Sequence, residues 1–175
     1  MFIILTIIIS GLIIGLIIIY NRFIHLKNQV DAAWSDISIQ LKRRHDLIPK
    51  LVDVVKQYAA YEKTVLERIT VLRSQSQRID DQKDLAVTGQ LENQLSEQFM
   101  QIKLLSESYP DLKASEHFTR LQQDLSLIED SLQHARRYYN GAVRLLNTQI
   151  DQFPDLLIAH IFNFTPRQFF QMDMN

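Results

Sequence analysis

The sequence predicts an all-α protein in which a single N-terminal transmembrane helix continues into an antiparallel up-down-up-down bundle of long helices. Three observations lead there. Residues 2–20 are an uncharged apolar run. Downstream, apolar residues recur at steps of three and four along four segments. The four glycines and four prolines fall mostly between those segments.

The apolar run Phe2 to Tyr20 is almost all Ile and Leu, broken by Thr6, Ser10, Gly11 and Gly15. As a helix it spans roughly 28 Å, close to the hydrocarbon thickness of a bilayer. A cleaved signal peptide would begin with Lys or Arg and end in a small-residue cleavage site, whereas Tyr20-Asn21-Arg22-Phe23-Ile24 follows here. Residues 1–22 are therefore expected to be a retained anchor. Arg22 and Lys27 follow the span and no basic side chain precedes it, so the positive-inside rule places the remainder in the cytoplasm. Gly11-Leu12-Ile13-Ile14-Gly15 has the small-xxx-small spacing that lets two membrane helices approach closely, which makes Gly11 and Gly15 candidate contacts in a homo-oligomer. An accidental match is the alternative.

Residues 23–152 are expected to form the bundle. The first helix continues out of the membrane on Phe23, Leu26, Val30, Trp34, Ile37 and Leu41. It is expected to end near Lys42-Arg43-Arg44-His45, where cations meet the negative end of the helix dipole. Asp46 would then cap a second helix with Pro49 in its first turn. That helix carries Leu51, Val55, Tyr58, Val65, Ile69 and Leu72. Polar residues dominate from Ser74 to Thr88, marking a connection or a frayed end. A third helix is expected from about Leu91 to Ser108, stopping before Tyr109-Pro110. The fourth carries an unslipped heptad seam of Phe118, Leu121, Leu125, Ile128, Leu132, Ala135, Tyr139, Ala142 and Leu146, which passes through Gly141. The scheme has a length mismatch: about 36 Å for the first helix outside the membrane against about 50 Å for the second and fourth.

Residues 153–175 are apolar and Phe-rich, and too short to cross a bilayer. Alternating helices would return this segment toward the membrane. Phe153, Leu157, Ile161, Phe162, Phe164, Phe169 and Phe170 are candidates for interfacial contact, the alternative being that they pack over the end of the bundle.

Several stretches resemble the LemA family of bacterial membrane-anchored helical proteins: Tyr20-Asn21-Arg22 through Ala33-Trp34-Ser35-Asp36-Ile37; Gln40 through Val52; Tyr58-Ala59-Ala60-Tyr61-Glu62-Lys63; Tyr109-Pro110-Asp111-Leu112-Lys113-Ala114; and Ala135-Arg136-Arg137-Tyr138-Tyr139-Asn140-Gly141-Ala142-Val143. The closing Phe153-Pro154 and Phe162 to Phe170 segments fit as well, so the resemblance covers nearly the whole chain. It implies an N-terminal anchor, a cytoplasmic helical bundle and no enzymatic activity. A related domain in magnetosome-forming bacteria is associated with membrane invagination. Two positions depart from the family pattern: His45, where Tyr is commoner, and Tyr61, where His is commoner.

The chemistry-bearing residues point the same way. The absence of cysteine excludes disulfides, thiolate metal sites and a cysteine nucleophile, and the net charge of −1 gives no reason to expect nucleic acid. The five histidines are scattered, with neither metal-binding spacing nor a nucleophile elbow, and no Gly-rich phosphate loop is present. No cofactor is expected. Lys42, Arg43 and Arg44 either compensate a helix dipole or dock an acidic protein partner at the membrane-distal tip. The expected function is a membrane-anchored, non-enzymatic scaffold, oligomeric and shaping or organising the membrane through the lipid bilayer and protein partners. The alternative is a ligand-sensing or signal-relay domain with a pocket between its helices.

Overall fold

The computed structural model describes residues 1–59, 62–78 and 85–171. Among them there is no strand. The elements are α1 (Phe2–Tyr58), α2 (Lys63–Arg78), α3 (Leu85–Ser106), α4 (Pro110–Lys113), α5 (Glu116–Asp151) and α6 (Asp155–Ile161). The protein is all-helical, and its N-terminal helix is long and apolar enough at its start to cross a membrane. Every large apolar side chain from Met1 to Ile18 is exposed.

The largest departure from expectation is α1. The break foreseen at Lys42-Arg43-Arg44-His45, with Asp46 capping a new helix, is absent, and one helix runs to Tyr58 with Pro49 inside it. The buried stripe explains the continuity, because Ile37, Leu41, Arg44, Ile48, Leu51 and Val55 recur at steps of three and four and all are buried. Two basic residues, Arg44 and His45, thus occupy core positions rather than a solvated helix end. Proline at position 49 cannot donate to the carbonyl four residues back, which belongs to His45. That carbonyl is taken instead by Arg73 Nε of α2, at 2.8 Å.

The second helix begins at Lys63, so the single helix expected across Val55 to Leu72 is interrupted. No glycine or proline marks the interruption, and Ala59 just after α1 is fully buried. Assigning residues 46–58 to α1 removes the length mismatch. Beyond Tyr20, α1 extends roughly 57 Å and α5 roughly 54 Å. Residues 79–84, within the polar stretch, and Tyr61 lie outside the described residues; α2 and α3 occupy the two flanks of that stretch. Gly141 is helical as expected, and the α5 seam from Phe118 to Leu146 is buried or half-buried throughout.

By its contacts the chain divides into two compact units, Met1–Ser35 with Arg137–Phe169, and Asp36–Arg136 with Phe170–Asn175. The core of the second unit joins Ile48, Leu51, Val52 and Val55 of α1 to Leu66, Ile69 and Leu72 of α2. Leu95, Phe99 and Ile102 of α3, Leu112 of α4 and Phe118 of α5 complete it. Tyr109 caps α4, with Pro110 in its first turn.

In the first unit, the Trp34 ring meets Tyr139 edge-on at 5.6 Å, and the Tyr138 hydroxyl accepts from Gln29 at 3.2 Å. The chain after α6 is fastened along this unit. Asn147 donates to Arg167 O and accepts from Arg167 N, both at 2.9 Å, while Arg167 reaches Asp31 at 3.3 Å. The Tyr139 hydroxyl donates to Gln168 O at 3.0 Å. At the end of α6, Asn163 takes a left-handed φ of 55°. Phe164 N then bonds Ala159 O and Asn163 N bonds His160 O, the two hydrogen bonds of a Schellman cap.

Candidate functional site

The buried face of α1 brings Arg44 and His45 into the second unit, where α2 contributes Ser76, α3 contributes Glu92 and Ser96, and α5 contributes Glu129. Each acid lies on a helix's buried stripe: Glu92 follows Thr88 by four and precedes Leu95 by three, and Glu129 adjoins Ile128. Arg44 and Glu92 are both fully buried. Arg44 Nη1 donates to Glu92 Oε2 at 2.7 Å and to Glu92 O at 3.2 Å. Its Nη2 donates to Ser96 Oγ at 2.6 Å and lies 2.7 Å from Glu129 Oε1. The guanidinium carbon stands 5.0 Å from the centroid of the Phe99 ring.

The second oxygen of Glu92 receives Ser76 Oγ and His45 Nε2, the latter at 2.8 Å. Burial alone would push the Glu92 carboxyl upward. The His45 hydrogen bond, the Arg44 charge and Ser76 together outweigh that and hold it below the ordinary value. An ionised carboxylate only accepts, so His45 presents an N–H at Nε2. Glu129 goes the other way: burial raises it, Arg44 opposes the rise, and the nearby Glu92 charge adds to it.

A serine, a histidine and an acid therefore meet, but Glu92 sits between the other two. His45 has no hydrogen bond to Ser76 through which it could take a proton, so the trio lacks the order of a nucleophilic relay. Among the described residues no three His, Asp or Glu side chains converge as metal ligands. Beside the cluster is a cavity of about 530 Å³, walled by Leu51, Phe99, Ile102 and Leu125, with Ser96 and Glu129 in its lining.

The residues singled out from the sequence separate. Lys42 and Arg43 are exposed, Arg43 donating to Gln40 at 3.1 Å, whereas Arg44 points into the core, so the three cations do not form one surface. The space above Gly11 and Gly15 is open. Phe153, Leu157, Ile161, Phe162 and Phe169 are exposed, Phe164 is half-buried, and Phe170 is fully buried with the Arg136 guanidinium 6.0 Å from its ring centroid. The Phe162 ring meets Tyr20 edge-on at 4.9 Å; Phe164 lies 5.8 Å from Tyr20 and stacks on Phe23 at 4.7 Å. Sequence reasoning missed Ser76, Glu92, Ser96 and Glu129. The signal for Glu92 was its spacing, since it precedes Leu95, Phe99 and Ile102 on one stripe as Arg44 does Ile48, Leu51 and Val55 on another.

The LemA family profile matches residues 33–175. The chain belongs to the LemA family. Among its relatives is the protein LemA of Metamycoplasma hominis, 30% identical over 133 residues, covering 76% of this chain and 60% of the relative. The magnetosome proteins MamQ 2 and MamQ 1 of Paramagnetospirillum magneticum are each 23% identical over 178 residues, covering 87% of this chain and 64% of theirs. The chain thus spans about three fifths of the length of these relatives. The family match contains the whole buried cluster and begins beyond the apolar run.

Proposed function

We propose that this LemA-family chain is a non-enzymatic scaffold of the bacterial inner membrane. Residues 2–20 anchor it, and its helical domain on the cytoplasmic side assembles with copies of itself or holds protein partners. The observation that carries this reading is the continuity of α1: the exposed apolar run and the buried stripe bearing Arg44 belong to one helix. The direction of α2 relative to α3 is consistent with helices that alternate. Ser76 bonds Glu92, while Arg68, two turns earlier, reaches Gln94, two residues later, as antiparallel α2 and α3 require. The relation to two magnetosome proteins is consistent with a role at membranes. The open faces of Gly11 and Gly15 offer a route to self-association, and exposed Lys42 and Arg43 suit an acidic partner. The test is cross-linking of the full chain in vesicles at increasing dilution in lipid. The expected result is dimers or larger assemblies that weaken when Gly11 and Gly15 are both replaced by Leu. A chain that stays monomeric at every density overturns self-assembly and leaves only the capture of protein partners.

One observation favours a second reading, a ligand-responsive domain. The cavity beside Arg44 has apolar walls and a single acidic side chain, Glu129, in its lining. Such a lining suits an amine with an apolar body. Phenethylamine is then expected to raise the melting temperature of the intact protein, and Glu129→Gln to remove the effect. No shift with either chain overturns this reading.

A further inference from the structure

We propose that the exposed face of α6 is a second lipid-contacting site, seated in the interfacial layer of the leaflet from which α1 emerges. The proposal rests on residues 2–20 being the membrane anchor. Leu157 and Ile161, four residues apart, lie on one face of α6 and are 55% and 66% exposed; Phe153, just before the helix, is 81% exposed. Leu156 and Phe162 extend the same apolar surface and are also exposed. Soluble proteins seldom leave so concentrated an apolar patch in water.

The patch is not a loose end. The opposite side of α6 buries Asp155 and Ala159, its C-terminus is closed by the Schellman cap at Asn163, and the following chain is clamped by Asn147. Something outside this chain is therefore needed to cover the exposed face, and the aromatic contacts indicate what. Phe162 packs on Tyr20, and Phe164 packs on Tyr20 and Phe23. Tyr20 closes the uncharged run, so these rings stand where α1 leaves the hydrocarbon, at the depth where membrane proteins concentrate aromatic side chains. The interfacial layer is about 5–8 Å thick on each side, and α6 is only about 10 Å long, so the helix cannot lie far from it. Arg22 and Lys27, both exposed on the first turns past the span, place cations at the same level as anionic headgroups. Side chains of the Phe-rich tail thereby take three different surroundings. Leu156, Leu157 and Ile161 face lipid, Phe162 and Phe164 fasten α6 to α1, and Phe170 belongs to the core.

Because the chain has no cysteine, single nitroxide labels can be placed without altering its core. Leu157→Cys and Ile161→Cys are labelled in the full chain, reconstituted in phosphatidylcholine and phosphatidylglycerol vesicles. Collisions with oxygen, which partitions into lipid, are compared with collisions with a water-soluble nickel chelate. Leu12→Cys marks the bilayer interior and Lys50→Cys the water. The expected result is an oxygen-to-nickel ratio at 157 and 161 between those of the two markers and several-fold above that of the aqueous one. Labels at 157 and 161 that match Lys50→Cys, while Leu12→Cys reports lipid, overturn the second contact and leave the anchor standing. If they are shielded from both reagents, a second protein chain covers α6 and the proposal is likewise overturned. If Leu12→Cys itself reports water, the anchor reading falls and this proposal falls with it.

Discussion

Arg44 is surrounded by two carboxyl groups, a serine and a ring face. Ion pairs of this kind are seldom net stabilising compared with apolar replacements, but removing one partner leaves an unpaired charge in the interior. Glu92→Gln should therefore cost about 3–5 kcal/mol, read by urea denaturation of the full chain in micelles with Trp34, the only tryptophan, as fluorophore. The two acids respond to pH with opposite sign. Glu92 is held below the ordinary carboxyl value of 4.5, so its contribution is complete above that value and is lost as pH falls through the lower folded one. Glu129 is raised, so between 4.5 and its folded value the native state binds the extra proton and acidification stabilises the fold. The stability of the unaltered chain relative to Glu129→Gln should accordingly increase as pH falls from 7 toward 4.5; a flat or decreasing difference contradicts this. The cluster was only half legible in the sequence. Arg44 and Glu92 stand at seam positions, but a lone charge on an apolar stripe is far more often a helix end or a solvated edge, and the partner that reverses that expectation lies 48 residues away.

At the scale of elements, the heptad seam of α5 could be read directly because it is long and contains no polar substitution. Helix α1 was cut short for the same reason its core is unusual: a basic pair and a proline together resemble a terminus and a new start. What lets the helix continue is a tertiary contact, Arg73 Nε on the carbonyl that Pro49 releases, and no local pattern announces it. Removing Arg73 by Arg73→Met should cost about 1–3 kcal/mol by leaving that buried carbonyl unpaired. In a Pro49→Ala background residue 49 regains its N–H, so the same substitution should cost at least about 0.5 kcal/mol less. Equal costs in both backgrounds would show that the carbonyl is not what Arg73 serves. Gly141 offers a simpler check. A methyl group there meets nothing within 4 Å and the residue is helical, so Gly141→Ala should stabilise the chain by about 0.5–1 kcal/mol, seen as a shift in urea midpoint without a change in slope.

For the whole molecule, the apolar run and the all-helical class were plain from composition and period alone. The fate of the Phe-rich tail was not, because hydrophobicity cannot separate a side chain covered by protein from one left exposed, and here neighbours in sequence divide between the two: Phe169 is exposed and Phe170 is buried. The unbroken α1 also governs how the protein can be cut. Proteases bind several residues of extended chain, which they find in loops and at termini. Arg22, Lys27, Lys42, Arg43, Lys50 and Lys56 are all exposed, yet all are wound into the same helix, and Ala59 is the first residue beyond it. Brief trypsin treatment of protein embedded in vesicles should leave residues 1–58 joined to the membrane, with no soluble fragment that begins between Arg22 and Lys56. A fragment starting at Phe23 or Asn28 would mean that α1 opens at the bilayer. Shedding of the domain by a membrane-proximal cut would require that helix to unwind first.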